Sequence, residues 1–292
     1  MSVIPSRWFY LIAFTFVCPI ALSLFHTGAK ASDAGYSTSI EQLKILLKKK
    51  GYETEHHFSD PRFTIYADID SFFIKSAEKT MVEERLAAQE RGDSLDAERI
   101  FLDEYENYKI TLKFNTKQNS IIPFMIDHAV QLDSCENKYG IPREVIAAVI
   151  GIESGFENHR GSFYAFNVYV SMYLKNYRKT FALSQLSELL AFCKRTGIDM
   201  FELNSSYAGA IGYMQFLPYS LNRWFVGKDV YNIDDAIAST ANFLAYFKKR
   251  RGSIEKALYA YNPSRYYVTF VLDLAEKGIV IQKMSPVPVW ER

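Results

Sequence analysis

The sequence predicts a mainly α fold. Three observations predict it. Apolar residues recur at three- and four-residue spacing through most of the chain, the interruptions fall at glycine and proline signals, and no run alternates convincingly as a strand. Over 292 residues, 49% hydrophobic and 23% charged side chains describe an ordinary globular chain, with enough material for one large core or two smaller ones. The formal net charge of +1 leaves no global footprint for nucleic acid. The 20 tyrosines and 22 phenylalanines suit a helical core, and equally a cleft that stacks on ring-shaped ligands.

The first residues differ in kind. Arg7 precedes an apolar run from Trp8 to Phe25, and Ala29-Lys30-Ala31 sets small residues where a signal peptidase cuts, so residues 1–31 read as a secretory signal peptide. The run also reaches the lower edge of a membrane-spanning length, which makes an uncleaved anchor over residues 8–25 the alternative. Cys18 lacks the small preceding residue of a lipidation signal.

After this leader, Ile40, Leu43, Leu46 and Leu47 mark a helix that stops at Gly51, and Asp60-Pro61 marks a turn. Ile65, Ile69, Phe72, Phe73 and Ser76 suggest a second helix, and Val82 to Arg99 an exposed one broken at Gly92-Asp93. Ile121 to Tyr139 reads as one amphipathic helix, with Phe124, His128, Val130 and Leu132 as candidates for burial. It ends at Gly140, and Pro142 opens the next helix in the first turn, where its missing N–H costs nothing. Further helices are expected over 163–174, 179–195, 220–225, 235–250, 253–260 and 264–277, with 284–289 as loop. This organises the chain as a leader (1–31), an N-terminal helical lobe (32–120), a second helical lobe (121–280) and a tail (281–292).

Cys135 and Cys193 either pair in an oxidising compartment or are two separate buried thiols. No Cys/His spacing reads as a zinc site, so no metal and no cofactor is expected.

Three segments carry chemistry. In Ile141 to Phe156, Glu153 follows Val149 by four residues and Ile146 by seven, on the apolar stripe of its own helix. A carboxyl buried there loses water and holds its proton more tightly, the condition for a general acid near neutral pH. Alternatively, Glu153 is a helix-end carboxylate paired with an arginine such as Arg160. In Ser206 to Pro218, small residues that permit close backbone approach lead to Gln215, a donor and acceptor set between Met214 and Phe216. The bland reading is a tight interhelical turn. In Ala257 to Tyr267, Asn262-Pro263 signals a turn, Ser264 is placed to cap the next helix, and Tyr261 is either a core aromatic or a cleft residue.

Together, in this order, the segments resemble the lysozyme-like lytic transglycosylases, specifically the B-type membrane-bound family. Tyr139 to Ser154 is similar to its Tyr-Gly-Ile/Val-Pro opening and Ile-Gly-x-Glu-Ser/Thr motif. Ser206 to Pro218 is similar to its Ser-Phe-Ala-Gly-Ala stretch, and Asp234 to Phe247 with Tyr261-Asn262 to the helix and pair that close its cleft. Asn176-Tyr177-Arg178 resembles the Asn-Tyr-Pro-Arg between the first two motifs, without its proline. Ser154-Gly155 stands where the family often has Thr-Arg, and the segment from Trp224 to Asn232 lacks the acid cluster of the family's calcium loop, so no calcium site is expected.

The resemblance implies a lysozyme-like catalytic lobe that cleaves the MurNAc–GlcNAc β-1,4 bond of peptidoglycan non-hydrolytically, leaving 1,6-anhydroMurNAc ends. Glu153 would be the sole general acid and base, with Ser154, Ser206, Gln215, Tyr261 and Asn262 as substrate-binding residues. The implied partners are peptidoglycan strands and proteins of a cell-wall complex, in the periplasm, with membrane contact only through the N-terminal segment. Two alternatives stand. A lysozyme-type muramidase needs a second carboxylate, for which Glu157, Asp229 and Asp234 are nearest in sequence. A non-catalytic wall-binding protein would keep only the cleft.

Overall fold

The computed structural model describes residues 35–69, 71 and 94–284; the leader, the chain before Ser94 in the expected exposed helix, and the tail from 285 lie outside the described residues. Its order is α1 (Ser37–Lys49), α2 (Glu55–Phe58), α3 (Ser94–Thr111), α4 (Phe114–Asp127), α5 (Ala129–Tyr139), α6 (Arg143–Ser154), β1 (Phe163–Tyr164), α7 (Ala165–Leu174), α8 (Lys179–Thr196), a 3₁₀ turn (Met200–Glu202), β2 (Asn204–Ser205), α9 (Pro218–Trp224), α10 (Ile233–Arg251), α11 (Ile254–Tyr261) and α12 (Arg265–Met284). The fold is mainly α, as the spacing of its apolar residues requires. No helix among the described residues is long and apolar enough to cross a membrane.

The centre of the structure is α6. Every residue from Val145 to Ser154 is buried, so this helix has no solvent face. α4, α5, α10 and α12 pack around it. Its start follows Pro142, and its end is set by Gly155 in the left-handed region, where a glycine costs least. A second group, α7 packed on α8 and α8 on α9, carries the fully buried Phe166, Tyr169 and Phe192. Each such aromatic contributes roughly 1.5–3 kcal/mol by leaving water.

Several expectations need correction. The helix expected from Ile65 begins no earlier than Ile69, because the Tyr66 amide donates to Ser171 Oγ (2.8 Å) instead of to a helical carbonyl. The helix expected over 121–139 is two, α4 and α5. They meet at His128, whose backbone (φ −114°, ψ 24°) leaves helical geometry and re-aims the following face. Phe124 and Leu132 are buried as expected, but Val130 is 86% exposed. α4 begins at Phe114, after the left-handed Lys113, and its Lys117 and Ile121 are both buried.

Two short strands add to the helices without an alternating run in the sequence. Phe163 and Tyr164 pair antiparallel with Ser205 and Asn204, and Ile211 bridges both Ser205 and Phe216. Two-residue strands are too short to show alternation in sequence.

Cys135 and Cys193 are both free and buried. Burial pushes the Cys193 thiol up to about 12. A reductant is therefore expected to leave the melting temperature unchanged, and a thiol reagent should reach both residues only in denaturant. A reductant-dependent fall in Tm would reveal a bond between them.

Candidate active site

Glu153 sits on the last turn of α6, 8% exposed. Tyr267, in the first turn of α12, donates its hydroxyl to Glu153 Oε1 at 2.7 Å. Desolvation pushes the carboxyl up to about 8, while the Tyr267 hydrogen bond and the positive charge of Lys117 draw it back. The acid is thus neutral at neutral pH. Tyr267 itself is held well above the usual phenol range by burial and by Glu153, so it remains a donor. By donating to one oxygen it leaves the acid's own proton for the other.

The sharp turn after Glu153 depends on a glycine within the helix. A Cβ on Gly151 would overlap the Phe156 ring, which lies over the helix and meets Phe124 of α4 at 5.1 Å. Phe156 and Glu157 both have positive φ (57° and 71°), so this segment is strained locally and held by packing. Arg160 does not pair with Glu153 as the alternative supposed: its Nε donates to Tyr213 Oη at 3.0 Å.

The second motif forms a tight hairpin. Ile211 and Phe216 exchange backbone hydrogen bonds (2.8 and 3.0 Å), and Gly212 to Gln215 make the tip. Gly212 (φ 74°) has no substitute there, since a Cβ would lie 2.6 Å from Val230 O. Gln215 adopts φ 48° and donates from Nε2 to Gly212 O at 2.9 Å, half-buried at the tip. Before the hairpin, Tyr169 donates to Gly209 O (2.8 Å), and Ser206 Oγ accepts from the Ala210 amide (3.2 Å).

The third motif joins the other two. Tyr261 stacks on Tyr267 (6.3 Å between centroids, 10° between planes) and donates to Met214 O in the hairpin at 2.5 Å. Its ring also meets Phe243 edge-on at 4.8 Å. These ring contacts are those of a core aromatic. Asn262, 4% exposed, ends α11, and Ser264 Oγ accepts the Tyr267 amide (3.3 Å) at the start of α12.

Glu153, Tyr261 and the hairpin bearing Gln215 are therefore brought together through Tyr267. Ser154 and Ser206 lie deeper. Ser154 is fully buried, donates to Ile150 O (3.0 Å) and accepts the Glu157 amide (3.3 Å), which makes it a clamp on the turn. Sequence reasoning missed Tyr267, although the third chemical segment ends on it. Ser264 as an N-cap would have placed Tyr267 on the inward side of α12.

Of the three carboxylates nearest in sequence, two have partners for their side chains. Glu157 lies 3.0 Å from His128 Nε2, Asp229 accepts the Tyr231 amide (2.8 Å), and Asp234 sits in the first turn of α10. Among the described residues no three His, Cys, Asp or Glu side chains are grouped to hold a metal ion. Asp235 instead receives the amides of Lys228 and Asp229 (2.8 and 3.0 Å) and closes the short segment before α10.

The model of the transglycosylase SLT domain matches residues 78–255. The chain belongs to that family. It is similar to membrane-bound lytic murein transglycosylase B of Escherichia coli, with 27% identity over 136 residues, 45% of this chain and 37% of the relative, so the likeness spans little more than a third of the relative's length. Among solved structures, the E. coli lytic transglycosylase Slt35 in complex with bulgecin A matches at TM-score 0.57 and 16% identity, over 80% of this chain and 99% of that one. SltB3 of Pseudomonas aeruginosa in complex with NAG-anhNAM-pentapeptide matches at TM-score 0.52 and 18% identity, over 56% and 64%. These structures share the SLT fold with this chain; the geometry of the site rests on this chain's own residues.

Two outcomes test this site. Gly151→Ala should lower stability by about 1–3 kcal/mol in urea unfolding, although alanine is the better helix former, and Phe156→Leu should recover part of the loss. A carboxyl held protonated up to about 8 when folded, against an ordinary 4.5, makes the folded state progressively less stable as pH rises between those values, by about 1.4 kcal/mol per unit. Glu153→Gln should therefore match wild type near pH 4 and become the more stable protein toward pH 8. Equal stability across that range would mean that Glu153 is not held protonated.

Proposed function

We propose that the protein is a peptidoglycan lytic transglycosylase with Glu153 as its sole general acid and base. The observation that carries this reading is the buried Glu153, pushed up to about 8 and oriented by the Tyr267 hydroxyl at 2.7 Å. Membership of the SLT family supports the substrate class, as do relatives named as murein transglycosylases and a neighbour complexed with an anhNAM peptide.

In this proposal neutral Glu153 protonates the oxygen leaving C1 of the muramyl residue. The substrate's own acetamido oxygen supports the positive charge that develops at C1. Glu153, now a carboxylate, takes the proton of the C6 hydroxyl as that oxygen attacks C1, and a 1,6-anhydro end forms without water. Gln215 and Tyr261, both partly buried, contact the sugar or its acetamido group, while Ser154, Ser206 and Asn262 hold the walls in place. Packing of the hairpin and the tyrosine pair keeps the C6 hydroxyl near C1, a proximity effect. Export by residues 1–31 would deliver the protein to the periplasm, where this substrate lies.

Mass spectrometry of products from purified peptidoglycan tests the reading. Wild type should release anhydromuramyl fragments, and Glu153→Gln should lose at least about a hundred-fold in rate. Reducing muramyl ends from wild type would make the protein a hydrolase; binding without cleavage would make it a wall-binding protein.

A further inference from the structure

Among the described residues two charged side chains are buried, and they are of opposite sign: Lys117 at 5% exposure and Glu153 at 8%. Lys117 lies on the face of α4 formed by Phe114, Ile121, Phe124 and Met125, all buried. α4 packs against α6, which carries Glu153, and against α12, which carries Tyr267. An ammonium group is rarely taken out of water without a negative partner, and its carbon stem alone does not explain a lysine on an apolar stripe.

Two phenols stand beside Glu153. Tyr267 donates to it from α12, and Tyr261 stands behind Tyr267 from α11. The positive charge acting on Glu153 is that of Lys117. Half-buried His159, on the turn after α6, is lowered by its burial and then by the charges of Lys117 and of exposed Lys113, just before α4.

We propose that Lys117 is a positioning residue for Glu153: its buried ammonium holds the carboxylate that remains once Glu153 has given up its proton. This rests on the acid/base reading of Glu153. Lys117 transfers no proton itself. Before transfer its charge acts on a neutral carboxyl; after transfer it acts on a carboxylate, so its attraction grows as the reaction proceeds and favours the step. Without it, desolvation would leave Glu153 too weak an acid to protonate a glycosidic oxygen readily.

The test compares wild type, Lys117→Met and Lys117→Arg by carbon NMR titration of carboxyl-labelled glutamate, the Glu153 signal being assigned by its loss in Glu153→Gln. The pH dependence of kcat/KM on peptidoglycan is measured alongside. Lys117→Met should raise the Glu153 midpoint by about one pH unit, carry the basic limb of kcat/KM with it, and lower kcat about ten-fold. Lys117→Arg, which keeps the charge, should move both back toward wild type. An unchanged midpoint in Lys117→Met overturns the proposal whatever happens to activity. If that variant does not fold, the same titration in Lys117→Gln decides by the same criterion. The titration needs no substrate, so it is read separately from the activity, whose absence in wild type would count against the acid/base reading instead.

Discussion

A carboxyl taken out of water must keep its proton or meet a cation, and the packing around Glu153 follows from holding one such group in place. Burial of α6 from Val145 to Ser154 supplies the low-polarity surroundings. Gly155 ends the helix immediately after Glu153, so the side chain lies at the helix end rather than under a further turn. Gly151 lets Phe156 fold back over the helix and meet Phe124 of α4, the helix on which Lys117 is buried. A single desolvated acid thus accounts for a glycine inside a helix, two successive residues at positive φ and a lysine on an apolar stripe.

The rest of the site is built from tyrosines, because a phenol offers both a flat apolar body and one polar end. Tyr267 spends its polar end on Glu153, Tyr261 on the hairpin, Tyr169 on the Gly209 turn and Tyr213 on Arg160. Each ring is also core material. This is why the abundance of tyrosine in the chain admits no choice between filling a core and lining a cleft.

Legibility in the sequence followed the length and punctuation of each element. α1, α6 and the helices from α7 onward were readable because glycine, proline or Asn-Pro signals bound them and their apolar spacing runs for several turns. The break at His128 was not, since nothing in Phe124 to Leu132 interrupts a helical pattern; the departure shows only in the backbone of His128. Nor was the β1–β2 ribbon, whose short strands are set by long-range pairing. In the site, Glu153, Gln215 and Tyr261 could be singled out from local context. Tyr267 and Lys117 act on Glu153 from 114 residues after it in sequence and from a separate helix before it. Only the fold reveals such partners, even though the spacing of Phe114, Lys117, Ile121 and Phe124 already places the lysine on an inward face.

The hairpin from Ile211 to Phe216 is closed by the mutual bonds of its two end residues, and its tip is fastened from outside by Arg160 and Tyr261. One fastener precedes it in the chain and the other follows by 47 residues. Such distant closures carry a loop-entropy cost that local helix formation does not. A growing chain therefore carries the acid-bearing helix well before it can carry the clamp, and a fragment ending short of Tyr261 has the reactive group without the frame that aims it. The frame around Glu153 is complete only when Tyr261 and Tyr267 are in place.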